Sequence, residues 1–442
     1  MYRHASMNRT YSLVWSDTKQ AYVVAPEIAR QRGKRPTLKV VVASVATFLC
    51  GGVAHALDPG ALPGGGVVKA GQASIGVNGS TMTVDQGTNK AAIDWQSFNV
   101  GSGAQVNFVQ PSSSAVTLNR VVGQDASQIM GSLHANGQVF ILNPNGVMFA
   151  PGAQVSAAGV IASTRDISDQ DFMDGKLSLS GNSSGAVVNE GTITAANGGY
   201  VVMVGAQVRN TGTISATKGD VHLAAANQVS LQIDGAGLTS FTVDQGTLDA
   251  LAENHGLIKA DGGRIFLTAD ALNQLAKATV NNTGVIEAQT VENHDGVIVL
   301  KGDMQTGTVQ VGGTLDASAK NGGNGGFIET SAAKVKIDSS ASVSAAAQNG
   351  KTGTWLIDPT DFTIAASGGD VSGAALSSNL AGINVTIQST SGGSGTAGDV
   401  NVNDVVTWST NKLTLNAQNN INVNANLNGS GTASLALEYG QA

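Results

Sequence analysis

The chain has 442 residues, of which 57 are Gly, 8 are Pro and one is Cys, with 12% charged, 4% aromatic and 41% apolar side chains. A globular domain carries about twice that charged fraction, yet the scarcity of Pro and the many β-branched residues exclude disorder, and the lone Cys excludes a disulfide scaffold. Gly follows no three-residue period, which excludes collagen, and at this level it costs too much helix propensity for a long helical protein; a β-rich, repetitive chain remains.

Residues 1–56 stand apart. They hold 8 Lys or Arg against Asp17 and Glu27, a net charge of +6. The apolar run 40–54 follows Arg30, Arg32, Lys34, Arg35 and Lys39 and ends in Ala54-His55-Ala56. Basic region, short apolar core and small residues at Ala54 and Ala56 predict a secretory signal peptide removed after Ala56. An apolar run of 15 residues falls short of the roughly 20 needed to span a bilayer, and Leu49 before Cys50 is too large for a lipoprotein signal. The 386 residues after the cut contain no Cys and carry 16 basic against 29 acidic side chains, a net −13. Such an acidic exported chain has no electrostatic reason to bind nucleic acid or an anionic membrane.

The next informative stretch is 95–155. Asn143-Pro144-Asn145-Gly146 is a strong turn sequence, because Pro sets φ at its second position and Gly supplies a positive φ after it. Residues 138–142 before the turn and 147–149 after it are predicted strands folding over one corner. The acidic segment 164–176, with Asp166, Asp169 and Asp171, is predicted to be a solvated loop.

From about residue 187 a two-part phrase recurs. Asn-x-Gly-x-Ile-x-Ala starts at Asn189, Asn210, Asn254 and Asn282, with a degenerate copy at Gly312; Gly followed by an alternating apolar run starts at Gly219, Gly263, Gly296 and Gly326. The first step is 21 residues, the next 44, read as two units, and the third 28, read as one unit with an insertion. Short alternating strands at a fixed interval are the pattern of a parallel β-helix, one repeat per coil. The period is too short for a propeller blade. Gly and Asn are assigned to corners, where they tolerate left-handed backbone, and stacked Asn side chains are expected to form ladders. At about 21 residues per coil and about 4.8 Å per rung, the rod would reach roughly 90 Å. The fold class is therefore all-β, a right-handed parallel β-helix with an amino-terminal cap. Four segments are expected: 1–56 (signal), 57–300, 301–350 (further coils) and 351–442 (Asn- and Gly-rich repeats). The carboxyl end, 434–442, closes on a strand-like phrase with no polar cap, as expected of a truncated gene, a fragment or an unusually short member of a family of long rods.

Three groups of motifs carry a resemblance. Residues 7–34, opening Met7-Asn8-Arg9-Thr10-Tyr11-Ser12-Leu13-Val14-Trp15, closely resemble the extended signal peptide region of large exported Gram-negative surface proteins and place the natural start at Met7. Residues 57–300 resemble the two-partner secretion domain of the filamentous haemagglutinin family at Trp95-Gln96-Ser97-Phe98-Asn99-Val100-Gly101, at Asn119-Arg120-Val121, and from Ser127 through Asn143-Pro144-Asn145-Gly146-Val147 to Val155. The family's N-P-N-L phrase is missing; Val122-Gly123-Gln124-Asp125-Ala126-Ser127 stands where it is expected. Finally, Trp355-Leu356-Ile357-Asp358-Pro359 resembles a segment that follows this domain in large relatives.

The resemblance implies an adhesin-type exoprotein. Its signal peptide engages the inner-membrane export machinery, and its unfolded chain meets the periplasmic domains of a dedicated outer-membrane β-barrel transporter before folding outside the cell. Asn119, Arg120, Asn143, Pro144, Asn145 and Gly146 are the expected residues of transporter recognition or folding initiation, the plainer reading being that they only shape the coil. The same domain also serves haem- or haem-carrier-binding exoproteins and toxin-delivery rods, so the receptor stays open. No catalytic, cofactor or metal residues are assigned: Gly393-x-Gly395-x-x-Gly398 precedes a strand where a dinucleotide site needs a helix, and the acids are too scattered for a polysaccharide-active β-helix enzyme.

Overall fold

The computed structural model describes residues 57–392 and 396–440, together with the backbone of the strands Tyr11–Ser16 and Ala21–Pro26. Ala54 and Ala56, with Gly393 and Gly395, lie outside the described residues. The chain divides into two units, Met1–Ala56 and Leu57–Ala442. In the first, the two strands pair antiparallel from Tyr11↔Pro26 to Ser16↔Ala21.

The second unit is a parallel β-helix. One face stacks Lys90–Trp95, Val116–Val121, Gln138–Leu142, Gln154–Ser163, Thr192–Gly205, Asp220–Ala225, Arg264–Ala269, Val297–Gly302, Phe327–Ser331, Thr354–Asp358, Asn384–Ser389, Lys412–Ala417 and Ser434–Tyr439 in that order. A second face is an 8-stranded sheet from Ser127–Ile129 to Lys334–Ile337. Along the coils, residues in register point inward together: Ile193, Ile214, Ile258, Ile286, Leu315 and Val343 form one buried column. Each such side chain contributes about 1.5–3 kcal/mol of apolar burial.

The 44-residue step is one coil rather than two. Asn210 pairs directly with Asn254, and the extra length is the antiparallel excursion Gln228–Asp234 and Gly237–Gln245. Later coils also exceed 21 residues, so the thirteen stacked strands span roughly 60 Å at about 4.8 Å per rung, not 90 Å.

The expected ladder is present. Asn189 Nδ2 donates to Asn210 Oδ1 at 2.7 Å, Asn210 to Asn254 at 2.8 Å and Asn254 to Asn282 at 2.8 Å, all fully buried. Asn282 then donates to the Gly312 carbonyl at 2.9 Å, because Val311 occupies the next rung. These residues end strands inside the coil and do not take left-handed corners; the only Asn with positive φ among the described residues is Asn411. The repeating Gly has a different cause too. A Cβ on Gly263 would lie 2.0 Å from the Gly219 carbonyl oxygen of the coil below, so the phrase needs Gly for close coil approach.

Antiparallel strands close the amino-terminal end. Ala73–Asn78 folds onto Thr81–Gln86 and Val67–Ala70 pairs with Lys90–Trp95, which covers the edge a first coil would otherwise expose.

The acidic segment 164–176 is not a solvated loop. It contains the helix Asp169–Asp174, capped by Ser168, whose Oγ accepts from the Asp171 N–H at 3.1 Å. Phe172 is fully buried and meets Phe140 edge-on at 6.1 Å. With the three-stranded overlay sheet Leu177–Ser180, Gln228–Asp234 and Gly237–Gln245, this helix covers the outer side of the first face. Gln138–Leu142 is consequently buried on both sides. One apolar ring among acids carries no helical periodicity, so only its distant partners reveal the packing.

Beyond Trp355, buried with its Nε1 donating to Thr330 Oγ1 at 3.0 Å, the coil incorporates the helix Gly373–Asn379. Asp358, the last residue of the strand that carries Trp355, has its Oδ1 buried and unpartnered. Burial, with Glu329 nearby, raises its pKa from the ordinary 3.8 to about 6. A raised carboxyl pKa means that the native state holds more protons than the unfolded state between about pH 4 and 6, so stability falls as pH rises through that window. Asp358→Asn should therefore raise the unfolding free energy at pH 7.5, read from guanidinium denaturation, by about 1 kcal/mol after allowance for solvent screening. It should also flatten the fall between pH 4 and 6.5; an unchanged pH profile would refute this.

Candidate functional site

The expected site residues lie at one corner of the β-helix on two consecutive coils, next to the coil that carries Trp95. Strand Val116–Val121 presents Asn119 inward and Arg120 outward, as alternation requires. Asn119 is fully buried; its Oδ1 accepts from Trp95 Nε1 at 3.1 Å and its Nδ2 donates to the Phe140 carbonyl at 3.2 Å. Trp95 in turn meets Phe98 edge-on at 5.7 Å. The W-x-x-F and N-R-V phrases are thereby one packed unit.

Arg120 lies under the covering helix. It pairs with Asp94 at 3.0 Å, Asp166 at 2.8 Å and Asp169 at 2.6 Å, and also donates to the Ile167 carbonyl. Burial disfavours its charge, but the hydrogen bonds to Asp166 and Asp169 outweigh this and its pKa is raised. The side chain thus fastens the 166–169 segment to the β-helix.

The turn sits one coil further on, since Leu142 is in register with Arg120. Asn143 is fully buried. Its Nδ2 donates to the Asp125 carbonyl at 2.9 Å and to Ser127 Oγ at 3.0 Å, while its Oδ1 accepts the Asn145 N–H at 2.9 Å. Exposed Asn145 reaches back to the Gly123 carbonyl at 3.0 Å. Gly146 has φ 122°, as the turn sequence predicts, and its N–H closes on the Asn143 carbonyl at 3.0 Å. The Pro144 carbonyl accepts from Ser183 Oγ of the following coil. The 122–127 loop, which lacks its own N-P-N turn, is therefore held by the amides of the turn above it.

Sequence reasoning missed Arg165. This fully buried cation has no carboxylate partner among the described residues; its Nε donates to the Ala226 carbonyl at 2.7 Å and its Nη1 to the Ser183 carbonyl at 2.7 Å. Burial lowers its pKa to about 10. Gln138 was also missed: its Nε2 donates to the Gly235 carbonyl of the overlay at 2.8 Å, and its Oε1 accepts from Tyr200 Oη at 2.5 Å. The Tyr200 ring occupies the space that a Cβ on Gly159 would fill. Neither residue belongs to a turn phrase or an alternating run, so no local signal marked it. No group of three or more His, Cys, Asp or Glu suited to a metal ion occurs among the described residues.

Residues 60–316, more than half of the chain, match the TPS secretion domain family, and residues 7–56 match the Extended Signal Peptide of Type V secretion system. Two curated relatives from Haemophilus influenzae bear the name Heme/hemopexin-binding protein. One is 36% identical over 250 residues, 55% of this chain and 27% of the relative; the other is 35% identical over 295 residues, 60% and 30% respectively. The chain spans less than a third of the length of these relatives. The crystal structure of the HMW1 secretion domain from Haemophilus influenzae superposes with a TM-score of 0.65 at 23% identity, covering 85% of this chain and all of that one, which shows the shared fold. An extended signal peptide followed by this domain marks a protein secreted through the periplasm of a Gram-negative bacterium, with a cognate outer-membrane transporter as its partner. The chain, a β-helix led by an export signal, belongs to the TPS secretion-domain family of two-partner secretion exoproteins.

Proposed function

We propose that the corner formed by Asn119, Arg120 and Asn143-Pro144-Asn145-Gly146 serves the export step, as the segment that the transporter's periplasmic domains engage before folding and that folds early outside. The observation that carries this reading is the consumption of the Asn143 amide, whose nitrogen and oxygen both bond within the folded corner. The folded Asn143 has nothing left to offer a partner, so recognition through it belongs to the unfolded chain, and its burial belongs to folding. Beyond export, the names of the Haemophilus influenzae relatives favour a haem- or hemopexin-binding role for the exported protein over an adhesin role. With the acids held in ion pairs or dispersed along the coils, the domain is read as non-catalytic.

The test is co-expression with the cognate outer-membrane transporter, scoring protein in the medium. Wild type should be released, and Asn143→Ala should cut release at least fivefold while the periplasmic pool grows. Purified Asn143→Ala that refolds with a wild-type circular dichroism spectrum separates recognition from folding. Release at the wild-type level would reject a role for the corner, and retention of the wild type despite the transporter would reject the export reading. Immobilised haem and hemopexin, offered to the released protein, decide between the binding roles.

A further inference from the structure

The overlay sheet stops short. Its last strand, Gly237–Gln245, pairs with Gln228–Asp234 on one side, and among the described residues no strand pairs with the other side. Ser240, Phe241, Thr242 and Val243 make no main-chain hydrogen bond outside that one pairing. The free edge borders a groove of about 420 Å³. All four of these consecutive residues line it; since alternate residues of a strand point to opposite faces, the groove runs along the backbone edge.

The floor is the outer side of the β-helix. In earlier coils that side is fully buried under the overlay, at Tyr200, Val202 and Ala224. One coil beyond Asp220–Ala225 the cover ends, and Phe266 and Val299 lie half-buried at the groove. His222 lies at its inner end, its ring stacked on Phe241 at 4.4 Å and on Phe266 at 4.6 Å. The Nδ1 of His222 is buried without a hydrogen-bond partner. Burial, with Arg264 nearby, lowers its pKa to about 3, so the ring is neutral. The register shifts flanking Val243 and Ser240 bound the regular stretch of edge, which leaves room for pairing over about 13 Å at about 3.3 Å per residue.

We propose that this groove receives an extended peptide segment of a partner protein, which adds to the Gly237–Gln245 edge as the fourth strand of the overlay sheet. The edge supplies main-chain N–H and C=O groups at strand spacing, which a peptide backbone matches and a glycan does not. The floor takes apolar side chains at alternate positions, over Phe266 and Val299. Exposed Lys301, with Asp270 and Glu329, lines the groove as well and meets the polar positions between. This surface exists only in the folded, exported domain and stands apart from the export corner.

The experiment pans a displayed library of random dodecapeptides against the full secreted chain and measures synthetic versions of the enriched peptides by fluorescence anisotropy and hydrogen exchange. Enriched peptides should alternate apolar and polar residues and slow exchange of those amides among 240–243 that face the free edge at least tenfold. Val299→Arg, which fills the floor, should weaken binding at least tenfold. Lys301→Gln, which removes the charge at an exposed side chain, should weaken peptides carrying an acidic residue at least threefold while the circular dichroism spectrum stays that of the wild type. Absence of enrichment, or protection elsewhere on the chain, overturns the proposal. So does a glycan-array ligand that Val299→Arg abolishes while the free-edge amides stay unprotected.

Discussion

Replacing Arg120 by Met should lower stability by about 3 kcal/mol, the low end for breaking a buried ion pair. Three carboxylates, Asp94, Asp166 and Asp169, lose their shared cation, and Asp94 and Asp169 are both largely shielded from water. The low end applies because the Asp166 side chain is 45% exposed and is rehydrated. The loss should be local, because in a solenoid each coil contacts mainly its neighbours. Limited proteolysis should therefore cut within 164–176 before the later coils respond, and hydrogen exchange should quicken there first. Arg120→Lys should fall between, since an ammonium keeps the charge but cannot present the fork that reaches three acids at once. Wild-type protease resistance in Arg120→Met would show that Phe172, Ile167 and the Lys90 bonds to the Phe172 and Met173 carbonyls suffice to hold the helix in place.

The ladder should be nearly as sensitive. Asn210→Leu removes the acceptor of Asn189 Nδ2 and the donor to Asn254 Oδ1, leaving two buried polar groups short of a partner at about 1–3 kcal/mol each. A loss of about 2–6 kcal/mol in unfolding free energy is expected, read from guanidinium denaturation followed by circular dichroism. The second set of stacked amides is the control. Asn422 donates to Asn401 at 2.9 Å and Asn424 to Asn403 at 2.8 Å, but these pairs are exposed, so Asn422→Ala should change stability by no more than about 0.5 kcal/mol. Equal effects at the two places would mean that hydrogen-bond geometry, and not burial, sets the strength of the ladder.

These two residues also show where sequence reasoning succeeds and where it stops. Asn210 was legible because its phrase recurs, and stacking follows directly from coil repetition. The turn at Asn143 was equally legible, since the residue types of a turn are dictated locally; Gly146 takes its positive φ as expected. The partners of Arg120 were not: Asp166 and Asp169 lie 46 and 49 residues away, in a stretch whose acids read as solvated. The 44-residue step misled for a related reason, because an excursion of two strands imitates an extra coil in length while adding none to the stack.

The sequence alone was sufficient for the export signal, the coil architecture, the ladder and the turn, all of which depend on residue type and spacing within one repeat or on matching positions in successive repeats. Only the tertiary structure decided what covers the outer face: the Arg120 clamp, the buried Arg165, the overlay sheet and the open groove at its edge. Those features join segments that lie tens of residues apart through contacts made once, and a contact made once leaves no period to read.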